Sequence, residues 1–282
     1  VVAVIVPAYR AAATLGRAVR SLLSQSLSHW QAVIVADDGG DYRALLAAEG
    51  LADSRLVFAS TGRVGAGPSA ARNVGLAATT APLIAPLDAD DRFAPERLAR
   101  LVPLARVHGA AADNVAVVSD ADDWPFGTLF SREGPEPRFL SVSAFLETSV
   151  PMFPVCRREV AGCWDEDLRF AEDVAFTLRV LDRLGTIPVC LEPLYQYRVR
   201  PGSLSAGADS ALAADRAYAV LLAGLERGGL GFEDAARRRS VRAGLEQKRA
   251  LNQAFAASGC ATFQEFLAGR GALCPSPPSP GA

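Results

Sequence analysis

Residues 1–6, VVAVIV, are aliphatic at every position and mostly β-branched. A run without polar alternation suits a strand buried on both faces of a parallel sheet. Thr14 then stands as the N-cap of a helix whose Leu15, Val19, Leu22 and Ser26 share one face, and residues 32–36 return as a second apolar run. Residues 55–59 predict a third strand, residues 68–78 a helix opened by Pro68, and residues 83–87 a fourth strand. Pro95 opens a further helix towards Val107, in which Pro103 predicts a kink or a break. This βαβαβ alternation predicts a doubly wound, mostly parallel α/β sheet flanked by helices.

The second half is less regular. Residues 115–119 read as a strand, and residues 120–137, rich in Asp, Gly and Pro, as a loop or lid. Residues 172–184 form a strong helical pattern, with Val174, Leu178, Leu181 and Leu184 along one side and Gly185 as the stop. A strand over 187–191 follows. From Ser210 onward the spacing is helical, with Tyr218, Leu221, Leu222 and Leu225 at i, i+3, i+4 and i+7, and a later helix spans 233–257. The tail 275–282, PSPPSPGA, can form neither helix nor sheet and is expected to be disordered.

Composition changes this picture little. Half of the 282 residues are hydrophobic, enough for one large α/β unit with an appendage. A net charge of −2 gives no global attraction to nucleic acid, and no apolar run of membrane-spanning length is present. The expectation is a soluble, cytoplasmic protein. Five cysteines without a C-x-x-C pair predict reduced, mostly buried thiols, and two distant histidines make a histidine-rich zinc site a poor reading.

Charge placement changes the picture more. Ligands of doubly wound sheets bind beyond the carboxyl ends of the strands. Polar clusters fall at three of those ends: PAYR at 7–10, DDGG at 37–40 and DADD at 88–91. An Asp-rich tetrad alone suits a turn or a cap; it equally suits a hard cation, because crowded carboxylates repel unless neutralised. Asp91, at the head of the next segment, reads as a cap.

Taken in order, IVPAYR, ADDGG, GPSAARNVGLA, LDADD, RFAEDVAFTLR and YRVRPGSLS resemble the inverting glycosyltransferases of family 2, which have the GT-A fold. The resemblance covers roughly residues 1–205. It implies a metal-dependent transfer of a sugar from a nucleotide-sugar donor, expected to be UDP-linked, to a hydroxyl acceptor such as a glycan or lipid-linked glycan of the cell surface. By the same resemblance, Asp90 would bind the divalent cation, Mn²⁺ or Mg²⁺, and Asp88 would support it or contact the ribose. Asp37 and Asp38 would meet the base and ribose, and Pro7, Ala8, Tyr9 and Ala89 would line that pocket. Arg72 would reach the nucleotide or its phosphates, and Arg198, Arg200 and Ser203 would close over the diphosphate. Glu172 and Asp173 match the E-D pair of the family, with Asp173 as the base.

Two departures are visible: Gly40 stands where the family has Ser, and Arg200 where many relatives have His. The implied division is 1–91 for the nucleotide, 92–205 for acceptor and base, and 206–274 for a helical extension. The basic run Arg237, Arg238, Arg239 and Arg242 in 233–257 reads either as solvated surface or as a peripheral contact with the inner membrane face. Rival readings are, first, another enzyme, either a dehydrogenase, suggested weakly by Gly65-Ala-Gly67, or a nucleotidyltransferase of similar fold, and second, a non-catalytic sugar-nucleotide or glycan-binding protein. The presence of Asp88, Asp90 and Asp173 together argues against the second.

Overall fold

The computed structural model describes residues 1–200, 208–228 and 230–274. Its N-terminal half alternates as expected: β1 (Val2–Ala8), α1 (Leu15–Leu23), β2 (Trp30–Ala36), α2 (Tyr42–Ala48), β3 (Leu56–Ser60), α3 (Pro68–Ala77) and β4 (Leu83–Pro86). The four strands pair in parallel in the order β3-β2-β1-β4, so the continuous apolar run of β1 lies inside the sheet with both faces covered. Leu15, Val19 and Leu22 are buried as their spacing predicts. Ser26 lies past the end of α1 and is exposed, because the helix stops at Leu23. The helix α3 packs closely on β1 and β2 through Gly75: a Cβ there would stand 2.5 Å from the Ile5 Cγ2 atom and 3.3 Å from that of Val35.

Beyond the tetrad come β5 (Arg92–Phe93), α4 (Arg97–His108), β6 (Ala110–Ser119), β7 (Pro125–Thr128), β8 (Arg138–Ser141), α5 (Val142–Leu146), β9 (Val155–Arg157), α6 (Arg158–Ala161), α7 (Glu172–Leu184) and β10 (Thr186–Val199). Pro103 does not divide α4; it sits on the exposed face, where the carbonyl it deprives of a partner can meet water. The strand β9 pairs antiparallel with β4 on one side and with β6 on the other, stitching the second half onto the first. Next to it, β6 and β10 run parallel, with register shifts around Pro193. The short β5, β7 and β8 add antiparallel pairings at the margins.

The extension is helical: α8 (Ala208–Glu226), α9 (Ala235–Ala256) and α10 (Phe263–Gly269). Asp234 caps α9 by accepting from the Arg237 N–H at 2.8 Å, and a capping box of Thr262 and Glu265 opens α10. Among the described residues no helix is long and apolar enough to cross a membrane. Cys156 and Cys190 are buried, whereas Cys163 and Cys260 are exposed and Cys274 is half-buried, so the expectation of mostly buried thiols fails. The tail 275–282 and Ser203 lie outside the described residues.

Candidate active site

A cavity of about 660 Å³ opens at the carboxyl ends of β1, β2 and β4. The end of β1 contributes Pro7, Ala8, Tyr9 and Arg10; the loop before α3 contributes Gly65 and Gly67; the tetrad contributes Asp88, Ala89 and Asp90. The start of α7 contributes Glu172 and Asp173, and the end of β10 contributes Arg198 and Arg200.

The base of this cavity is organised around Arg72. Its guanidinium, only 1% exposed, donates to Asp88 Oδ1 at 2.6 Å and to Glu172 Oε1 at 2.9 Å. The Trp164 and Phe153 rings lie 4.7 and 5.1 Å from its Cζ. Burial opposes the charge, yet the two carboxylates hold the guanidinium pKa above its ordinary value. Arg72 thus joins the tetrad to the E-D pair, 100 positions apart from Glu172 in sequence.

Asp88 and Asp90 both have raised pKa values. Burial is the main cause for each; Glu172 adds to it for Asp88, against the opposing charge of Arg72, and Asp88 adds to it for Asp90. Arg200 donates from Nε to Asp90 Oδ2 at 2.9 Å. Each carboxylate therefore spends one oxygen on an arginine, leaving the other outside those bonds. Two desolvated, mutually repelling carboxylates are the donor chemistry of a hard divalent cation, and in that sense the residues fit one. No group of three His, Cys, Asp or Glu ligands occurs among the described residues, so phosphate and water oxygens would have to complete the shell.

Asp91 does not cap a helix. Its carboxylate accepts from the Tyr195 hydroxyl at 2.7 Å and the Arg198 N–H at 2.8 Å, and it is 1% exposed. It ties the tetrad to the end of β10. Arg198 in turn donates to Asp120 at 2.8 Å and Asp123 at 2.5 Å, which pins the start of the 120–137 segment.

Asp173 occupies the first turn of α7, behind Ala171, which takes the left-handed conformation at φ 56°. Burial first, and then the Glu172 charge, push its carboxyl up to about 7.

Residues 3–162 match the profile of Glycosyl transferase family 2. The chain belongs to that family. Among its relatives, the succinoglycan biosynthesis protein ExoO of Rhizobium meliloti (strain 1021) is 32% identical, covering 76% of this chain and 66% of the relative. The succinoglycan biosynthesis protein ExoU of the same strain is 30% identical, covering 72% of this chain and 64% of the relative. The chain thus spans about two thirds or slightly less of either relative's length. Among solved structures, S. aureus TarS 1–349 in complex with UDP-GlcNAc superposes with a TM-score of 0.67 at 18% identity, over 88% of this chain and 72% of that one. At that identity the likeness establishes the fold, which is GT-A.

Within this family 2 chain, most residues singled out from sequence share the cavity: Pro7, Ala8, Tyr9, Asp37, Arg72, Asp88, Ala89, Asp90, Glu172, Asp173, Arg198 and Arg200. Asp37 lines it with both oxygens occupied, accepting from Ala66 and Gly67 N–H at 2.9 and 2.8 Å and from the Thr61 hydroxyl at 2.8 Å. This fixes the 61–67 loop, in which Gly67 takes φ 105°, a conformation that residues with a side chain rarely adopt. Asp38 is not on the wall. It accepts from the Arg10 N–H at 2.6 Å and the Tyr42 hydroxyl at 2.7 Å, and so shapes the turn after β1. Despite partial burial, those bonds hold its carboxyl below the ordinary range.

Sequence reasoning missed the contribution of the extension. Tyr218, Lys248, Asn252 and Gln264 all line the cavity. A signal exists for two of them. On α9 the buried stripe runs Val241, Leu245, Lys248, Asn252 and Phe255, so two polar side chains occupy positions that helical spacing reserves for apolar ones.

Proposed function

We propose that the chain transfers a sugar from a nucleoside-diphosphate donor to a hydroxyl acceptor with inversion, in the synthesis of a polysaccharide or glycoconjugate. The observation that carries this reading is the meeting of Asp88, Asp90 and Asp173 around one cavity, with Arg72 bridging Asp88 to Glu172, the neighbour of Asp173. Family membership and the biosynthetic names of ExoO and ExoU support the reaction class. UDP is the donor nucleotide to test first, because TarS holds UDP-GlcNAc on the same fold.

In this reading Pro7, Ala8, Tyr9 and the 61–67 loop receive the nucleoside, and Arg200 faces the diphosphate. Asp90 and Asp88 would hold Mn²⁺ or Mg²⁺, whose chemistry when bound is to neutralise charge on the departing diphosphate. Asp173 accepts the proton of the acceptor hydroxyl while that oxygen bonds to the anomeric carbon from the face opposite the leaving group. The bond from the anomeric carbon to the diphosphate oxygen breaks, and the electron pair leaves with the diphosphate. A base held near neutrality is ionised for part of the population at pH 7 and is basic enough to take a proton. Residues 1–91 then serve the nucleotide, and 92–205 supply the base.

Three arginines of the basic run in 233–257 are engaged within the chain. Arg237 pairs with Asp182 at 3.7 Å, Arg238 donates to the Phe232 carbonyl at 3.1 Å, and Arg242 pairs with Glu226.

Calorimetry with UDP, with and without Mn²⁺, tests the assignment. Asp90→Ala is expected to lower UDP affinity and to make what remains largely independent of the metal. Wild-type metal-dependent affinity in that variant would refute it.

A further inference from the structure

One wall of the cavity is built by the helical extension, and two polar groups on it have bonding capacity that the fold does not use. Gln264 is 2% exposed. Its amide nitrogen donates to the Tyr197 hydroxyl at 3.3 Å, but its carbonyl oxygen has no hydrogen-bond partner among the described residues. Lys248 is 7% exposed and donates to the Thr148 carbonyl. Among the described residues no carboxylate forms an ion pair with it; Asp173 acts on it only through its charge. An ammonium has three donors, and a buried lysine is rarely left without a counter-charge or ligand. Burial pulls the Lys248 pKa down to about 8, with Asp173 opposing that fall.

The unmet needs are of opposite kind. Gln264 offers an acceptor that needs a donor, and Lys248 offers donors that need an acceptor. Sugar hydroxyls meet both, since each is donor and acceptor at once. A phosphate or carboxylate would satisfy Lys248 alone, leave the Gln264 oxygen unpaired, and bring a negative charge towards Asp173. Around these groups stand Phe145, Leu251 and Phe263, apolar surface of the kind that packs against the C–H faces of a pyranose. The Phe145 ring centroid lies 5.6 Å from the Lys248 Nζ atom.

We propose that α8, α9 and α10 form the acceptor subsite for a neutral sugar, with hydroxyls donating to Gln264 Oε1 and accepting from Lys248 while the attacking hydroxyl faces Asp173. This rests on the glycosyltransferase reading above and extends it: the acceptor is selected by the extension as well as by residues 92–205.

Saturation-transfer NMR with methyl β-D-glucopyranoside tests it on wild type, Lys248→Met and Gln264→Leu, with UDP calorimetry in parallel. The wild type is expected to give a glucoside signal. Each variant should weaken glucoside binding by about 3- to 10-fold, the scale of one lost hydrogen bond, with UDP affinity unchanged. Gln264→Leu should also melt close to wild type, because relief of the unpaired carbonyl offsets loss of the long 3.3 Å bond to Tyr197, and a merely structural glutamine would not combine near-intact stability with lost sugar binding. If Lys248→Met fails to fold, Gln264→Leu decides alone. A wild type without signal, full binding in Gln264→Leu, or tighter binding of glucose 6-phosphate than of the glucoside would overturn the proposal. UDP binding without glucoside binding sinks the subsite and spares the transferase reading; glucoside binding without UDP binding keeps the sugar site and removes UDP as the donor nucleotide.

Discussion

Asp173 should cost the protein stability wherever it is ionised, and Asp173→Asn should recover it. The carboxyl is raised from 3.8 to about 7 in the folded chain. At about 1.4 kcal/mol per pH unit, that difference corresponds to about 4 kcal/mol as a ceiling, since the side chain lines a cavity that admits water. Between these two values the folded chain keeps a proton that the unfolded chain has released. Raising the pH through this window therefore lowers the stability of the wild type, and the loss is complete above about 7. Asparagine cannot ionise and has nearly the same shape. The stability difference between variant and wild type should be close to zero below pH 4, grow between pH 4 and 7, and level off above. Urea unfolding at pH 4, 5, 6, 7 and 8 in EDTA measures it, and turnover should fall by about 10²-fold or more if Asp173 is the base. A difference independent of pH, or an asparagine variant less stable than wild type at pH 8, would refute the reasoning.

Glu172→Gln removes the second-largest cause of the Asp173 shift, so the acid limb of the turnover profile should move to lower pH; an unmoved limb counts against the coupling. Arg72→Met leaves Asp88 and Glu172 buried without their cation and should cost about 3–5 kcal/mol in chemical denaturation, whereas a loss under about 1 kcal/mol would deny its bridging role. Gly75→Val should push α3 off the sheet, costing about 1–3 kcal/mol and weakening UDP binding through the displaced Arg72; unchanged stability would mean that the close approach to Ile5 is dispensable.

The strands β1 to β4 were legible because burial on both faces leaves continuous apolar runs, and α7 because its periodicity and terminal glycine agree. The strands β5, β8 and β9 were not, since two to four residues are too few to display a period. The pattern at 187–191 shows only the first part of β10; Pro193 sits at a register shift, and the strand continues past it. The carboxylates of the site could be read from motifs, but not what each one holds. Arg72 joining Asp88 to Glu172, and Asp91 joining the tetrad to Tyr195, are long-range pairings that local patterns do not encode. Lys248 and Asn252 could have been found, because each interrupts an apolar stripe on α9.

The guanidinium of Arg72 also bears on how the molecule can be divided. A fragment ending near Asp91 would keep the helix that carries this arginine but lose Glu172 and the Trp164 and Phe153 rings around it, exposing or stranding a charge that the whole chain encloses. The same cut would strip β4 of β9 and leave an open sheet edge, a template for pairing with another chain. The proposed boundary at residue 91 is therefore no seam at which the polypeptide can be parted. On the acceptor subsite proposed above, exchanging specificity between relatives is better attempted by grafting α8 to α10 than by swapping halves.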